Sequence, residues 1–196
     1  FGNVVLRRYT EGGRWMENAL DDPGRLRLDG LAPLFKEYGE RYDLDWVLLA
    51  AQAFQESRLD QSRRSARGAV GVMQLLPSTA RDVGIPDISD VENNIHAGAK
   101  YLRWILDTYF DDDTITPEQR PWFALAAYNA GPTRVRQLRA EAARSELDPD
   151  VWIDNVEVVA ARRIGAETVR YVANIARYWI AYHLILERGR IAEEAA

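Results

Sequence analysis

The apolar residues of this chain recur with the spacing of an α-helix almost continuously from Leu31 onward. Patterns that alternate between apolar and polar residues, which are typical of β-strands, are nearly absent. Only 66–75, which contains Gly68 and Gly71, favours a short extended or hairpin element. The sequence therefore predicts an all-α or α-dominated domain. Helices are expected at 31–42, 44–57, 77–83, 91–110, 117–130, 132–145, 149–161 and 165–187.

Several of the helix starts carry recognisable capping chemistry. The segments 89–92 (Ser-Asp-Val-Glu) and 116–119 (Thr-Pro-Glu-Gln) fit a capping box, in which a hydroxyl and a later carboxyl or amide group satisfy exposed backbone N–H groups. Asp148 is a good N-cap residue for a helix that begins at Pro149. A proline in the first helical turn removes only an N–H group that would lack a partner there.

The first thirty residues differ from the rest of the chain in periodicity and composition. They show little periodicity, and they contain the helix-interrupting residues Gly12, Gly13, Pro23, Gly24 and Gly30. We expect 1–30 to be a linker or junction segment after an upstream domain, 31–187 to form the folded domain, and 188–196 to be a C-terminal tail. The start at Phe1, without a recognisable signal peptide, is what a processed or trimmed piece would show.

Composition argues against several classes of function. A formal net charge of −5 is unfavourable for nucleic-acid binding, and the absence of cysteine excludes disulfides and thiolate chemistry. The histidines, His96 and His183, share no ligand spacing, and 111–113 lacks the spacing of a calcium loop. We therefore expect neither a metal nor another cofactor. The apolar stretch 178–186 is too short to cross a bilayer.

One carboxyl group stands out by its position. Glu56 lies near the end of the expected helix 44–57, which is apolar almost all round and should therefore be buried in the domain. Burial and the negative end of the helix dipole both raise the pKa expected for such a carboxyl group. A group of this kind can donate a proton to a leaving group and later take one back. The alternative is a structural glutamate that caps the helix end or pairs with Arg58.

The segment 65–77 brings two glycines into a short extended passage ahead of a proline that starts a helix. Glycines such as Gly68 and Gly71 allow a backbone to approach a ligand closely. The Gln74 side chain offers both a donor and an acceptor to a polar substrate. A tight turn is the alternative interpretation of the same residues.

Two later segments combine aromatic and polar side chains. Tyr128 and Asn129 end a helix rich in small residues, directly before a Gly-Pro pair that stops one helix and starts the next. An aromatic ring beside an amide is suited to holding a sugar. Tyr171 lies one helical turn after Glu167 on the same face. For Tyr171, the alternative is a core residue with a hydrogen-bonded hydroxyl.

Taken together and in this order, the four segments resemble the catalytic domain of family 1 lytic transglycosylases. That family has a Glu-Ser pair, a Gly-x-Met-Gln-x-x-Pro segment, an Ala-Tyr-Asn-Ala-Gly segment and a late Glu-Thr-x-x-Tyr-Val. These motifs stand here at 56–57, 71–77, 127–131 and 167–172. The resemblance extends over about 31–186 and implies a lysozyme-like helical domain that acts on peptidoglycan.

Within the family, the chain is most similar to the membrane-bound murein transglycosylases of the F type. In that type the catalytic domain follows a periplasmic solute-binding-like domain. The resemblance therefore implies a place in the periplasm or cell envelope, an outer-membrane association through a missing N-terminal part, and regulation by an upstream domain.

The resemblance also implies roles for individual residues. Glu56 matches the catalytic acid/base of the family. The positions that match residues supporting or lining the glycan site are Ser57, Ser65, Gln74, Tyr128, Asn129 and Tyr171. Val72 and Leu76 depart from the leucine and methionine that are usual there, and we expect Leu76 to change how the glycan packs.

Ordinary glycosidases use two carboxylates, but the second candidate here, Asp60, is expected to be structural and to cap the next turn. The family chemistry instead uses the one acid twice. The resemblance implies that Glu56 first protonates the glycosidic oxygen, while the N-acetyl group of the substrate stabilises the cationic centre. The ionised Glu56 then accepts the proton of the muramyl 6-hydroxyl, which closes a 1,6-anhydro ring. A hydrolytic muramidase, a non-catalytic glycan-binding module and a structural or partner-binding domain are the alternatives.

Overall fold

The computed structural model describes residues 22–194. Within that range the chain forms eight α-helices: α1 (Asp22–Arg41), α2 (Trp46–Ser57), α3 (Pro77–Asp82), α4 (Val91–Tyr109), α5 (Arg120–Ala130), α6 (Pro132–Arg144), α7 (Glu157–Ile164) and α8 (Ala166–Glu194). The described part contains no β-strand, and the extended element expected at 66–75 consists of two isolated bridges, Arg64 with Val70 and Val70 with Leu75. The prediction of an α-dominated domain is therefore confirmed.

The described residues form two compact units. The first contains 22–100 and 174–194, and the second contains Tyr101–Ala173. Helices α4 and α8 each contribute one part to the first unit and the other part to the second. None of the helices between 22 and 194 combines the length and the apolarity needed to cross a bilayer.

Helix α2 lies in the core of the first unit, as its apolar sequence predicts. Its residues from Val47 to Phe54 are all buried. The Phe54 ring packs edge-on against Tyr178 and Tyr182 of α8, at centroid distances of 4.8 and 6.0 Å. A helix that is buried on every side has little freedom to shift, so it provides a rigid support for the residues at its end.

Both ends of α2 are fixed by specific contacts. At the start, Asp45 Oδ1 accepts from the backbone N–H groups of Val47 and Leu48 at 2.8 and 3.2 Å. The second carboxylate oxygen of Asp45 accepts from Trp179 Nε1 of α8 at 2.7 Å. At the other end, Arg58 takes a left-handed conformation (φ 61°) and closes the helix through its own N–H group. The position of the last turn is therefore well defined.

The core of the second unit contains a cluster of aromatic rings. Phe123 of α5 stacks on Phe110 at 5.7 Å and lies edge-on to Trp152 at 5.9 Å. The Arg139 guanidinium of α6 lies over the Phe123 ring at 5.4 Å and forms an ion pair with Asp150. These contacts connect α5 and α6 to the segment between α6 and α7.

The first and last described helices are longer than the sequence predicts. Helix α1 begins at Asp22 rather than at 31, so 22–30 is helical. Pro23 lies in the first turn, where proline is tolerated, and Leu28 is buried, which explains why the helix starts early. Helix α8 continues to Glu194, beyond the expected end at 187. The rest of the expected linker, 1–21, lies outside the described residues.

The two predicted capping boxes are not formed. Asp90, rather than Ser89, caps α4, because its Oδ1 accepts from the Asn93 N–H at 2.9 Å. At 116–119 the chain makes a turn and α5 begins at Arg120, so the helix start predicted at 117 is wrong. The Gln119 side chain accepts from the backbone N–H of Trp152 at 3.0 Å, and it is therefore not the partner that a capping box requires.

The helix predicted from Pro149 is also wrong in its start. Asp148 Oδ1 accepts from the Asp150 N–H at 2.9 Å, which makes a turn, and the Pro149 carbonyl accepts from Arg139 Nε at 2.9 Å. The segment Trp152–Val156 is a wide turn with a left-handed residue inside it, and a regular helix begins only at Glu157. Contacts with α6, which the local sequence does not encode, therefore decide this region.

Candidate active site

Glu56 is the penultimate residue of α2 and is partly buried. Its helical neighbours Ala53 and Gln52 are fully buried, so the backbone that carries Glu56 belongs to the core of the first unit. Arg58, the partner suggested by the alternative interpretation, places its guanidinium over the Phe54 ring at 4.6 Å. These contacts hold the backbone of Glu56 in a defined position at the C-terminal end of a buried helix.

The Ser57 hydroxyl joins the end of α2 to the segment 70–76. Its Oγ donates to the backbone oxygen of Val72 at 2.8 Å and accepts from the backbone N–H of Asp60 at 3.2 Å. Ser57 is buried, so a lost hydrogen bond here would not be replaced freely by water. Ser57 therefore fixes the last turn of α2, and with it the backbone of Glu56, against this segment.

The Gln61 side chain links the loop after α2 to the start of α4. Its Oε1 accepts from the backbone N–H of Val72 at 3.0 Å. Its Nε2 lies within 3.1 and 3.0 Å of the backbone oxygens of Ile88 and Ser89. A single amide thus satisfies backbone groups from two separate stretches of chain, which keeps the loop in one conformation.

The Asn94 side chain of α4 also bonds to backbone groups of the segment 70–76. It is fully buried; its Oδ1 accepts from the Met73 N–H at 2.7 Å, and its Nδ2 donates to the Val70 oxygen at 2.9 Å. Gly71 packs between the two amides, because a Cβ atom there would lie 2.5 Å from both Asn94 Nδ2 and Gln61 Oε1. Internal packing, together with a φ of +79°, therefore requires glycine at this position.

Two predicted site residues, Ser65 and Gln74, shape tight turns. The Ser65 N–H donates to the Ala69 oxygen, and its Oγ accepts from the Ala69 N–H, each at 3.0 Å. Gln74 has a left-handed backbone (φ 47°), and its Nε2 donates to the Gly71 oxygen at 2.8 Å. These hydrogen bonds agree with the tight-turn interpretation of the segment. Both side chains remain partly exposed.

Asp60, the second carboxyl group after α2, is engaged in a turn. Its Oδ1 accepts from the backbone N–H of Ser62 at 2.8 Å and from the Ser62 hydroxyl at 2.6 Å. These hydrogen bonds hold the pKa of Asp60 below its usual value, because they stabilise the carboxylate form. An ionised carboxylate that caps a turn is the structural role expected for this residue.

The remaining predicted site residues lie in the second unit. Tyr128, in the last turn of α5, contacts the Tyr101 ring at a centroid distance of 5.2 Å. Asn129 is exposed, and its Oδ1 accepts from the hydroxyl of the buried Thr168 at 2.8 Å. Tyr171 follows Thr168 by one turn of α8 and is buried. The Thr168 hydroxyl thus orients the Asn129 amide and ties it to the helix that carries Tyr171.

The structure therefore divides the predicted site residues between the two units. The first unit contains Glu56, Ser57, Ser65 and Gln74, and the second contains Tyr128, Asn129 and Tyr171. Within the first unit, hydrogen bonds connect the end of α2 to the segment that carries Gln74. Within the second, they connect the end of α5 to the start of α8.

Sequence reasoning missed the residues that position these groups, namely Asp45, Gln61 and Asn94. A signal was present for Asn94, which shares a face of α4 with Ala97 and Gly98, an apolar face where an amide needs a partner. No local pattern distinguishes Gln61, since its partners lie far away in the sequence.

The imidazole of His96 contacts two tyrosine side chains. Its Nε2 lies 2.6 Å from the Tyr42 hydroxyl, and its ring stacks on Tyr38 at 4.6 Å. Burial, together with the charges of Arg41 and Lys100, lowers the pKa of His96. In the described part of the chain, no group of three His, Asp or Glu side chains is arranged to hold a metal ion.

Comparison with known proteins gives a consistent result. The sequence profile of the transglycosylase SLT domain matches residues 33–150. The membrane-bound lytic murein transglycosylase F of Shewanella woodyi is 38% identical over 182 residues, which cover 85% of this chain and 38% of that protein. The protein of the same name from Mannheimia succiniciproducens is 37% identical over 208 residues, covering 100% of this chain and 39% of that protein.

A solved structure supports the same relationship. The 70 kDa soluble lytic transglycosylase of Escherichia coli superposes with a TM-score of 0.61 and 29% identity, over 79% of this chain and 24% of that one. The expected lysozyme-like helical fold is therefore confirmed. The chain spans less than two fifths of the length of the curated relatives described above.

Proposed function

Because this chain belongs to the family of transglycosylase SLT domains, we propose that it cleaves the glycan strand of peptidoglycan as a lytic transglycosylase. The bond that breaks is the β-1,4 bond between N-acetylmuramic acid and N-acetylglucosamine, and the product carries a 1,6-anhydromuramyl end. The observation that carries the proposal is the placement of Glu56 in the last turn of a buried helix, next to a serine that fixes that turn.

The environment of Glu56 suits a proton donor. A partly buried carboxyl group loses some hydration in its charged form, and the C-terminal end of a helix dipole is unfavourable for negative charge. Both effects favour the neutral acid, which can protonate the glycosidic oxygen as the C1–O bond breaks. The acetamido oxygen of the substrate stabilises the positive charge at C1, as in other substrate-assisted glycosidases.

The second half of the reaction uses the same residue. The Glu56 carboxylate removes the proton of the muramyl 6-hydroxyl, and that oxygen forms the new bond to C1. Glu56 thereby regains the proton that it donated in the first half, and no water is consumed. The use of a single carboxyl group is supported by Asp60, the other carboxyl group near the end of α2. Asp60 is ionised and accepts hydrogen bonds within a turn.

The other predicted residues serve the substrate. We assign Ser57 as a positioning residue for Glu56, through its bond to Val72. By the family pattern, the residues that contact the sugars are Ser65, Gln74, Tyr128, Asn129 and Tyr171. Tyr171 and its polar neighbours orient the acetamido group and support the charge that develops on it.

The test compares two matched carboxyl-to-amide variants on purified peptidoglycan. Glu56→Gln should lower the rate of release of soluble fragments by about 10²–10⁴-fold, the usual worth of a general acid–base group. Asp60→Asn is the control and should keep most of the activity. Equal activity of Glu56→Gln and wild type, or loss in Asp60→Asn alone, would contradict the assignment.

The alternatives make different products. A hydrolytic muramidase would leave water-opened reducing ends, whereas a glycan-binding module would release no fragments, and Glu56→Gln would not change it. A structural or partner-binding domain would not bind muropeptides in a titration. Analysis of the released fragments therefore identifies a muramidase, and the titration with muropeptides separates the two non-catalytic alternatives.

The relatives' names also bear on location and partners. Since those proteins are called membrane-bound, we place this chain in the cell envelope and propose that 31–187 is the catalytic domain of a longer periplasmic protein. We further propose association with the outer membrane and regulation by an upstream solute-binding-like domain. Neither a cofactor nor nucleic acid takes part. Equal rates for a chain extended by the upstream domain and for this chain, with and without candidate ligands, would argue against regulation.

A further inference from the structure

Four aromatic side chains form a continuous row in the second unit, and we propose that this row is an additional saccharide-binding subsite. The row consists of Tyr128 on α5 and of Tyr101, Trp104 and Tyr109 on α4. Trp104 supplies the exposed ring on which a pyranose of the glycan strand stacks. The inference rests on the proposed function, because Tyr128 is one of the residues assigned to the substrate there.

Each ring of the aromatic row contacts the next. The Tyr128 and Tyr101 rings are 5.2 Å apart and tilted by 56°, and Tyr101 stacks on Trp104 at 5.7 Å with an interplanar angle of 16°. Tyr109 then meets Trp104 edge-on at 5.4 Å. Such contacts fix the ring orientations, so Tyr101 and Tyr109 hold the Trp104 indole in place.

The exposure of Trp104 is unusual for its size. The indole is 43% exposed, although burying an aromatic ring is strongly favourable. The other large apolar side chains that are exposed in the described residues are Leu26, Leu76 and Leu184, and all of them are aliphatic. An isolated exposed leucine needs no explanation, but an indole at the exposed point of an ordered aromatic row indicates a binding surface.

The chemistry of the surface selects a sugar. One face of a pyranose ring presents C–H groups, which pack on a flat aromatic face, while its hydroxyl groups need donors and acceptors at the edge. The Arg103 and Asp107 side chains, one residue before and three residues after Trp104 on the same helix, form an ion pair with each other. An aromatic platform with a few charged groups at its rim is the usual composition of a site for a polar ligand with apolar faces. Continuity with Tyr128 assigns the ligand as the same glycan strand.

The experiment measures saccharide binding by titration calorimetry in the Glu56→Gln background, which prevents turnover. The probe is the hexamer of N-acetylglucosamine. We expect Trp104→Ala to weaken binding about tenfold, as truncation of an interface tryptophan typically does. Trp104→Leu keeps an apolar side chain but lacks the flat ring, and it should lose about as much. Trp104→Phe should retain most of the affinity, and Leu184→Ala, the matched exposed apolar control, should retain all of it.

Each outcome decides the proposal. Equal affinity of the parent and both non-aromatic Trp104 variants would overturn it, as would a parent that does not bind the hexamer. A loss confined to Trp104→Ala, with Trp104→Leu unchanged, would also overturn it, since apolar contact rather than ring stacking would then explain the effect. Digestion of peptidoglycan by wild-type protein tests the proposed function separately, so failure of the aromatic row leaves that assignment intact.

Discussion

Two glycines in one loop, Gly71 and Gly68, separate the cost of backbone strain from the cost of crowding. Their backbone φ angles are nearly the same, +79° and +82°. A Cβ atom at Gly68 would meet nothing within 4 Å, whereas one at Gly71 would lie 2.5 Å from Asn94 Nδ2 and from Gln61 Oε1. Replacing each with alanine therefore imposes the same strain and the same change in the unfolded chain, but only Gly71→Ala forces the two amides apart.

The magnitudes follow from these contacts. A left-handed conformation costs an L-residue about 1–2 kcal/mol, and this applies to both variants. Overpacking adds about 1–3 kcal/mol at Gly71. Displacement of the amides also weakens the hydrogen bonds to the Val72 and Met73 N–H groups, which are worth about 0.5–1.5 kcal/mol each. We expect Gly71→Ala to be less stable than Gly68→Ala by about 2–4 kcal/mol, a large part of a typical folding free energy of about 5–15 kcal/mol.

The assay is urea unfolding followed by circular dichroism, with thermal melts as a second measurement. A difference of that size lowers Tm by roughly 4–16 °C in a chain of this length. Gly71→Ala should also lose lytic activity, because the segment bonded to Ser57 moves with it. Equal stability of the two variants would refute the reasoning, since it would show that Asn94 and Gln61 do not hold this segment as described.

Two further predictions concern buried polar groups in the first unit. Asn94→Ala should destabilise the protein by about 2–4 kcal/mol in urea unfolding, because the buried Met73 N–H loses its bond to Oδ1 and the Val70 oxygen keeps its bond from the Leu75 N–H but loses the one from Nδ2; the neighbouring Asn93→Ala, which loses a bond at the surface, should stay within about 0.5 kcal/mol. A matching loss in both would contradict the assigned role. Because the pKa of His96 is lowered from 6.5 in the folded state, the folded protein favours the neutral imidazole. The folding stability that this preference contributes is fully present above pH 6.5 and is lost as the pH falls from 6.5 through the lowered pKa. Denaturant midpoints between pH 7.5 and 5 should show this slope in wild type and in His183→Gln but not in His96→Gln; an unchanged slope in His96→Gln would exclude this residue as its source.

The helices were predictable where local sequence decides their position. The long apolar run that ends at Glu56 gave the correct end of α2, and the Gly-Pro pair at 131–132 gave the boundary between α5 and α6. Starts that depend on distant groups were not predictable. The Gln119 side chain accepts a hydrogen bond from the Trp152 N–H, and the Pro149 carbonyl accepts one from Arg139 Nε. Both segments are therefore held by distant residues, and neither expected cap forms.

The candidate site residues could be proposed from the sequence, but the residues that support them could not. Glu56 and Tyr128 stand in recognisable motifs, whereas the family pattern says nothing of Gln61 and Asn94. Their importance comes from burial and from hydrogen bonds to residues far away in the chain. Similarly, Trp104 has no motif of its own, and its exposure and ring contacts appear only once α4 and α5 are folded.

The most direct test of the central claim is mass spectrometry of the products formed from purified peptidoglycan. If Glu56 acts as acid and then as base, the muramyl ends carry the 1,6-anhydro ring and are lighter by one water than hydrolysed ends. They should also carry no label when the digestion is run in ¹⁸O-water. Labelled reducing ends, or 1,6-anhydro products formed at the wild-type rate by Glu56→Gln, would contradict the mechanism.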